Sequence, residues 1–325
     1  MKIQLFRPQA VYEIGKRANQ EDSIYPAFGN ATEDSRLFMV CDGMGGHEKG
    51  EVASKTVCQA MSQATEQLME KGATVTKDML KSILNDTYEA LDKADVFMEG
   101  KMGTTMALLC LHRGGAICVH IGDSRIYHLR PKLKGNSQNT NEVVRYRSRD
   151  HSLVQHLYEM GELSYNDMAT SPKRNIVLRA MQPYQEKRAN PTMVCIADIQ
   201  PGDYFYLCSD GMLEQMDDEE LTDIIGSDMT DLQKALELMN RTVDNSDNHS
   251  AYLVHVKDVE HERGDDLMPD DEQEARQRNK ALNDKHKDLA WSDDTAGIDP
   301  QQTIRHTLMN RMITFFRQKW TRKRT

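Results

Sequence analysis

The sequence predicts an α/β (α+β) protein whose antiparallel sheets are covered by helices. Three observations carry this expectation. Short runs rich in β-branched and aromatic residues recur along the first 257 residues: SRLFMVC, GTTMALLCLH, GAICVHIG, RIYHLR, DYFYLCS and AYLVHV. Two long helical patterns lie next to each other near the start rather than between every pair of strands. Strands, then helices, then strands argue against a strict βαβ alternation.

Each element has its own signal. A helix is expected over about 47–71, with Ala53, Val57, Met61 and Leu68 on one face. A second is expected over about 76–98, carrying Leu80, Leu84, Leu91 and Phe97 or Met98. Further helices are expected near 151–160, 217–226 and 230–244.

Bulk properties narrow the class. At 325 residues the chain has room for one large domain or two small ones, and its 38% hydrophobic content suggests that part of it is not packed. A net charge of −10 argues against nucleic-acid binding. The six cysteines, at 41, 58, 110, 118, 195 and 208, lie mostly in apolar runs and include no C-x-x-C pair, so neither zinc nor a disulfide framework is expected. No signal-peptide core or membrane-spanning run is seen, and a cytoplasmic protein is the expectation.

The chain changes character near Lys257. Residues 1–257 are read as the folded domain, 258–303 as a charged linker or solvated helix, and 304–325 as a basic amphipathic helix. In that last segment Ile304, Leu308, Met312, Phe316 and Trp320 form a stripe among seven Lys or Arg. Such a helix suits an anionic membrane surface, a partner's groove, or the chain's own domain.

The acids fall where strands begin or end. LFMVC runs into Asp42, AICVHIG into Asp123, and DYFYLCS into Asp210. Asp247 immediately precedes NHSAYLV, and Glu21 and Asp22 precede another short apolar stretch. Any one such Asp is more often a turn former or helix cap. Gathered at one place, carboxylates repel one another unless a cation neutralises them, and hard cations such as Mg²⁺ or Mn²⁺ take oxygen ligands. The glycines after Asp42 allow close backbone approach. Arg17, four residues before Glu21, is the nearest cation for holding a phosphate.

These residues carry a family resemblance. RANQEDS, VCDGMGGHEKGEVAS, MGTTMALLCL, HIGDSRIYHLR, RDHSLVQHLYEMGEL with RNIVLRAM, YLCSDGMLE and SDNHSAYLV stand in the order of motifs of the metal-dependent protein phosphatases of type 2C. The chain resembles their bacterial members over nearly all of 10–257. The resemblance implies a four-layer sandwich of two central antiparallel sheets flanked by helices. It implies hydrolysis of phosphoserine and phosphothreonine on proteins, with two Mn²⁺ or Mg²⁺ ions in the core site and a third beside them.

It also implies roles. Asp42 bridges two ions and Gly43 offers a carbonyl to one of them. Asp210 and Asp247 complete the other site, and Glu21 holds a water of the second ion. Asp22 is a structural neighbour, and Asp123 with Asp210 takes the third ion. Arg17 holds the substrate phosphate, and residues about 161–180, with Arg174 and Asn175, form a flap beside the site. A metal-activated water then attacks phosphorus without a covalent phospho-enzyme.

The pattern departs from the family in two places. Met44 stands where human-type members carry a proton-donating His, so the leaving-group proton must come from elsewhere; His47 is close in sequence but is better read as helix-start packing. Gln20 replaces an Asn common in bacterial relatives. The implied partners are phosphorylated proteins and an opposing serine/threonine kinase. The alternative is a catalytically silent phosphoprotein-binding regulator acting through its tail. Loss of Asp42, Asp210 or Asp247 would favour it, and all three are present.

Overall fold

A computed structural model describes residues 1–45, 49–96, 102–131, 143–261 and 270–287. His47, Phe97, Met98 and the expected helix at 304–325 lie outside the described residues.

The strands are β1 (Lys2–Leu5), β2 (Gln9–Glu13), β3 (Ser23–Tyr25), β4 (Leu37–Cys41), β5 (Gly43–Met44), β6 (Gly103–Thr104), β7 (Met106–His112), β8 (Gly115–Ile121), β9 (Arg125–Leu129), β10 (Val144–Arg147), β11 (Thr192–Ile196), β12 (Tyr204–Cys208) and β13 (His249–Glu260). The helices are α1 (Lys49–Glu70), α2 (Lys77–Ala94), α3 (Leu153–Met160), α4 (Tyr165–Thr170), α5 (Asp218–Gly226), α6 (Asp231–Arg241) and α7 (Glu272–Lys287), with a 3₁₀ turn at Asp210–Leu213.

Two antiparallel sheets form the centre. One runs β1-β13-β12-β9-β10, with β2 also on β13; the other runs β11-β8-β7-β4-β3. Strand β4 shows how the sequence builds the layers. All five of its residues are buried. Phe38 and Val40 join the core between the sheets, whereas Leu37, Met39 and Cys41 join the core beneath α1 and α2. Strand β12 does the same on the other sheet. Phe205 and Leu207 face the sheet of β4 and β7, while Tyr204, Tyr206 and Cys208 face α5 and α6 with Leu221, Ile225 and Leu238. A side-chain period of two, with both faces covered, turns the alternation expected of a half-exposed strand into a continuous apolar run. The result is the expected order of helices, sheet, sheet, helices.

The helix ends follow local chemistry. Thr76 caps α2 by accepting from the Met79 amide, and the helix closes at Ala94. Asp217 with Glu220 and Thr230 with Gln233 form reciprocal capping boxes on α5 and α6.

One expectation needs correction. The charged segment 258–303 is not uniformly solvated. Residues 258–260 complete β13, and 272–287 form α7, whose Glu272 is only 1% exposed. The composition is polar, but Asp271 and Glu272 meet Cys195 and the fully buried His128, which low hydrophobicity alone does not reveal.

Register places the functional loops. Val40 pairs with Ala107 and Ile121 with Met106, so β4 and β8 both end beside the start of β7. On the other sheet Cys208 pairs with Ala251, and Glu13 pairs with His249. Strands β2 and β12 therefore end where β13 begins. Asp42, Asp123, Asp210, Asp247 and the loop after β2 all emerge at strand termini of this kind.

Candidate active site

Asp42 leaves β4 with its backbone fixed on both sides. Its amide donates to Thr105 Oγ1 (2.9 Å), and its carbonyl accepts from the Thr105 amide and from Thr104 Oγ1, each at 2.9 Å. Thr105 Oγ1 lies 2.6 Å from Ser124 Oγ, next to Asp123. The Gly-Thr-Thr run thus ties the ends of β4 and β8 together.

Gly43 and Gly50 are required by close approach. A Cβ on Gly43 would sit 2.2 Å from the Gly50 carbonyl oxygen and 2.5 Å from that of Glu21; one on Gly50 would sit 2.8 Å from the Gly43 carbonyl carbon. The first turn of α1 therefore lies directly against the Gly43 backbone. The Gly43 amide donates to the Glu21 carbonyl (3.1 Å), and Ser54 Oγ donates to the same oxygen (2.5 Å).

The loop after β2 is held by Asn248. Its Oδ1 accepts from the Glu21 amide (2.8 Å), and its Nδ2 donates to the carbonyls of Ile14 (2.8 Å) and Asn19 (3.0 Å). Arg17 is exposed, and its Nη2 donates to Asp247 Oδ2 at 2.6 Å. Asp22 is 2% exposed and accepts from Ser209 Oγ at 2.9 Å. Arg174 and Asn175 are exposed on the segment after α4. Glu214 accepts from both the amide and hydroxyl of Ser246, each at 2.7 Å, and the positive charge of Arg174 helps hold its pKa below the usual range against the effect of burial. That places the expected flap residue near the Asp247 loop.

The electrostatics are those of crowded acids. Burial pushes Asp42 well above the carboxylate range, and the charges of Asp210, Asp22 and Asp123 push it further. Burial, then Asp210 and Asp150, does the same to Asp123. Burial raises Asp210, with Asp247, Glu214 and Asp150 adding to the rise. Asp22 is pushed up to about 7, chiefly by burial. Glu21 rises through burial, opposed by Arg17.

Asp42, Asp123 and Asp210 thus share one basin, with Asp22 beneath it. Glu21, Arg17 and Asp247 are grouped on one side. Among the described residues, no three His, Cys, Asp or Glu side chains are already gathered closely enough to form a metal cage. The donor chemistry nonetheless fits a hard cation. Asp210 Oδ1 is buried and has no hydrogen-bond partner, and the neighbouring acids and the Gly43 carbonyl offer oxygen only. Met44 is half-buried in β5, facing Gly103 across a two-stranded ladder.

Several residues escaped the sequence reading. Asn248 stands beside Asp247, but its partners at 14–21 are more than 220 residues away in sequence, with 227 residues separating it from Glu21. Asp150 binds Arg125 through both oxygens (2.8 and 2.7 Å) and adds its charge to Asp123 and Asp210. The only available signal was the Arg at the end of Gly-Asp-Ser-Arg, which needs an acid when half-buried.

Comparison with known proteins identifies the family. The protein phosphatase 2C family model matches residues 13–254. A serine/threonine phosphatase, stp, of Listeria innocua serovar 6a is 31% identical over 205 residues, covering 61% of this chain and 75% of that protein. The crystal structure of the Mycobacterium tuberculosis serine/threonine phosphatase PstP/Ppp superposes with a TM-score of 0.63 at 27% identity, covering 78% of this chain and all of that one. The catalytic domain of PstP, solved with two manganese ions, gives a TM-score of 0.61 at 27% identity over 79% of this chain and 100% of that one. The matched segment spans both sheets and every acid of the basin, and the chain belongs to the protein phosphatase 2C family.

Proposed function

We propose that this chain hydrolyses phosphoserine and phosphothreonine on proteins, with Asp42 at the centre of the site. The observation that carries the reading is the basin of Asp42, Asp123 and Asp210, whose mutual repulsion in a buried setting calls for a cation. Mn²⁺ or Mg²⁺ would be held by Asp42, the Gly43 carbonyl, Asp210 and Asp247, with Glu21 acting through a water. Asp123 and Asp210 would hold a third ion. Bound there, the ions would acidify water and neutralise phosphoryl oxygens.

The chain's own residues supply the rest. Asp42, its backbone fixed by Thr104 and Thr105, orients the attacking water and receives its hydrogen bond. Arg17 grips the equatorial phosphoryl oxygens, and its link to Asp247 aims the planar fork. Asp22 supports the basin from below through Ser209. The segment 161–180, with Arg174 and Asn175, borders the site as the flap. The substrate class implies an opposing serine/threonine kinase, and residues 1–257 carry the catalysis.

The test is phosphate release from a phosphothreonine peptide after chelation, with Mn²⁺ titrated back, for the wild type and Asp42→Asn. Metal-dependent turnover that vanishes in Asp42→Asn is expected. A folded wild type that is silent at every metal concentration would overturn the reading.

A further inference from the structure

The family match ends at residue 254, yet α7 returns to the domain and is fastened to it at two levels. Asp271 comes first. Its amide donates to the Cys195 carbonyl (2.9 Å), and its Oδ2 accepts from the Cys195 amide (2.9 Å), so it adds a pair of bonds to the outer strand β11. Lys77, at the start of α2, forms an ion pair with the same carboxylate. Glu272 comes next. Its Oε1 lies 2.5 Å from Nδ1 of His128 on β9, a ring that is fully buried and held on its other side by Asp203 at 2.9 Å. Ala275, one turn on, packs against the core between the sheets.

A buried carboxylate without a partner is costly, so this seat fixes the start of α7 in place. The helix then reaches the expected flap. Leu282 packs against the cluster of Val154 and Tyr158 on α3 and Met168 on α4, beside Leu163. These three residues are buried, and they are small in number for two short helices. Helices of eight and six residues have little stability of their own and depend on tertiary contacts.

We propose that residues 270–282 are a strap that positions α3 and α4 for phosphoprotein substrates, anchored by Asp271 and Glu272, with Leu282 as the positioning residue. This rests on the reading of 161–180 as the flap of a phosphatase. The strap's anchors, Cys195, Lys77 and His128, and its contact with the cluster on α3 and α4 all lie away from Asp42, Asp123 and Asp210, so it acts on how a protein substrate is received rather than on bond cleavage.

The full chain is compared with Leu282→Asp and with Gln277→Ala, an exposed position on the same helix. Three readouts are taken: p-nitrophenyl phosphate turnover, phosphothreonine-peptide kinetics, and amide exchange over 153–170. In Leu282→Asp, exchange over 153–170 is expected to rise about tenfold, and the peptide KM about fivefold, with small-substrate kcat/KM unchanged. Gln277→Ala should match the wild type in all three.

Unchanged exchange and unchanged peptide KM in Leu282→Asp would overturn the strap. Equal losses on both substrates would also overturn it, by assigning Leu282 to general stability. A wild type that turns over neither substrate would sink the phosphatase reading instead, while the exchange readout would still decide whether the strap holds α3 and α4.

Discussion

The seat of Glu272 makes a quantitative prediction about stability. His128 is buried between Glu272 and Asp203, and although burial alone lowers its pKa, the two carboxylates outweigh it and raise the ring from 6.5 to about 9. A rise of that size corresponds to roughly 3 kcal/mol of preference for the folded state when the ring is protonated. The sign follows from the direction of the shift. The contribution is complete below about pH 6.5, where the ring is protonated in both states, and it fades as pH rises through about 9. Between those values the folded state holds up to one proton more, so this group alone lowers unfolding stability by as much as ~1.4 kcal/mol per pH unit. Glu272→Gln keeps the shape but removes one of the two charges, so the total loss of stability from this group between about pH 6.5 and 9 should fall to about half. Urea unfolding at several pH values from 6.5 to 9, on the wild type and Glu272→Gln, measures it. Other titrating groups are common to both proteins and cancel in the difference. Parallel pH profiles for the two proteins would refute the argument that His128 is held protonated by Glu272.

Further outcomes follow from the site. Asn248→Ala removes three hydrogen bonds from the loop carrying Arg17 and Glu21, at about 1 kcal/mol each; phosphopeptide kcat/KM should fall roughly a hundredfold, and much less in an Arg17→Ala background. Arg17→Ala should raise the KM for phosphopeptide about tenfold or more while the Tm stays near the wild-type value, as the side chain is exposed. Gly43→Ala forces a Cβ to within 2.2 Å of the Gly50 carbonyl oxygen, so calorimetry should show a loss of several kcal/mol, on the order of ~3 or more, or no soluble fold. Chelation of the wild type should abolish turnover, and added Mn²⁺ should restore it and raise the Tm, since an ion that binds only the folded state stabilises by mass action.

The layers were legible because their signal is local. The long, mainly apolar runs of β4, β7, β8 and β12 announce strands covered on both faces, and helices α1 and α2 lie within a few residues of their expected bounds. Strands β1, β2, β10 and β11 carried no such signal. They are short and lie at or near the margins of their sheets, where one face is not buried and polar residues such as Gln4, Gln9 and Arg145 interrupt the pattern. The acids of the basin could be picked out one by one, because each follows or precedes an apolar run. Their convergence could not be read from spacing; it depends on register between strands far apart in sequence and came from the family resemblance. Asn248 and Glu272 were invisible for the same reason. Each looks like an ordinary polar residue until its partners, Glu21 and His128, are brought to it by the fold.

The clasp between the Asn248 side chain and the loop of Arg17 and Glu21 has a consequence for biosynthesis. The two halves of the site lie 227 residues apart, measured from Glu21 to Asn248. At about 5–20 residues per second, a ribosome needs on the order of 11 to 45 s to make the second half after the first. Through that interval the nascent chain holds Arg17 and Glu21 but has neither Asn248 to clasp their loop nor, until its last residues, Asp247 to meet the guanidinium. On the proposed roles of these residues, a half-made chain is expected to be silent toward phosphoproteins near the ribosome until the domain is complete.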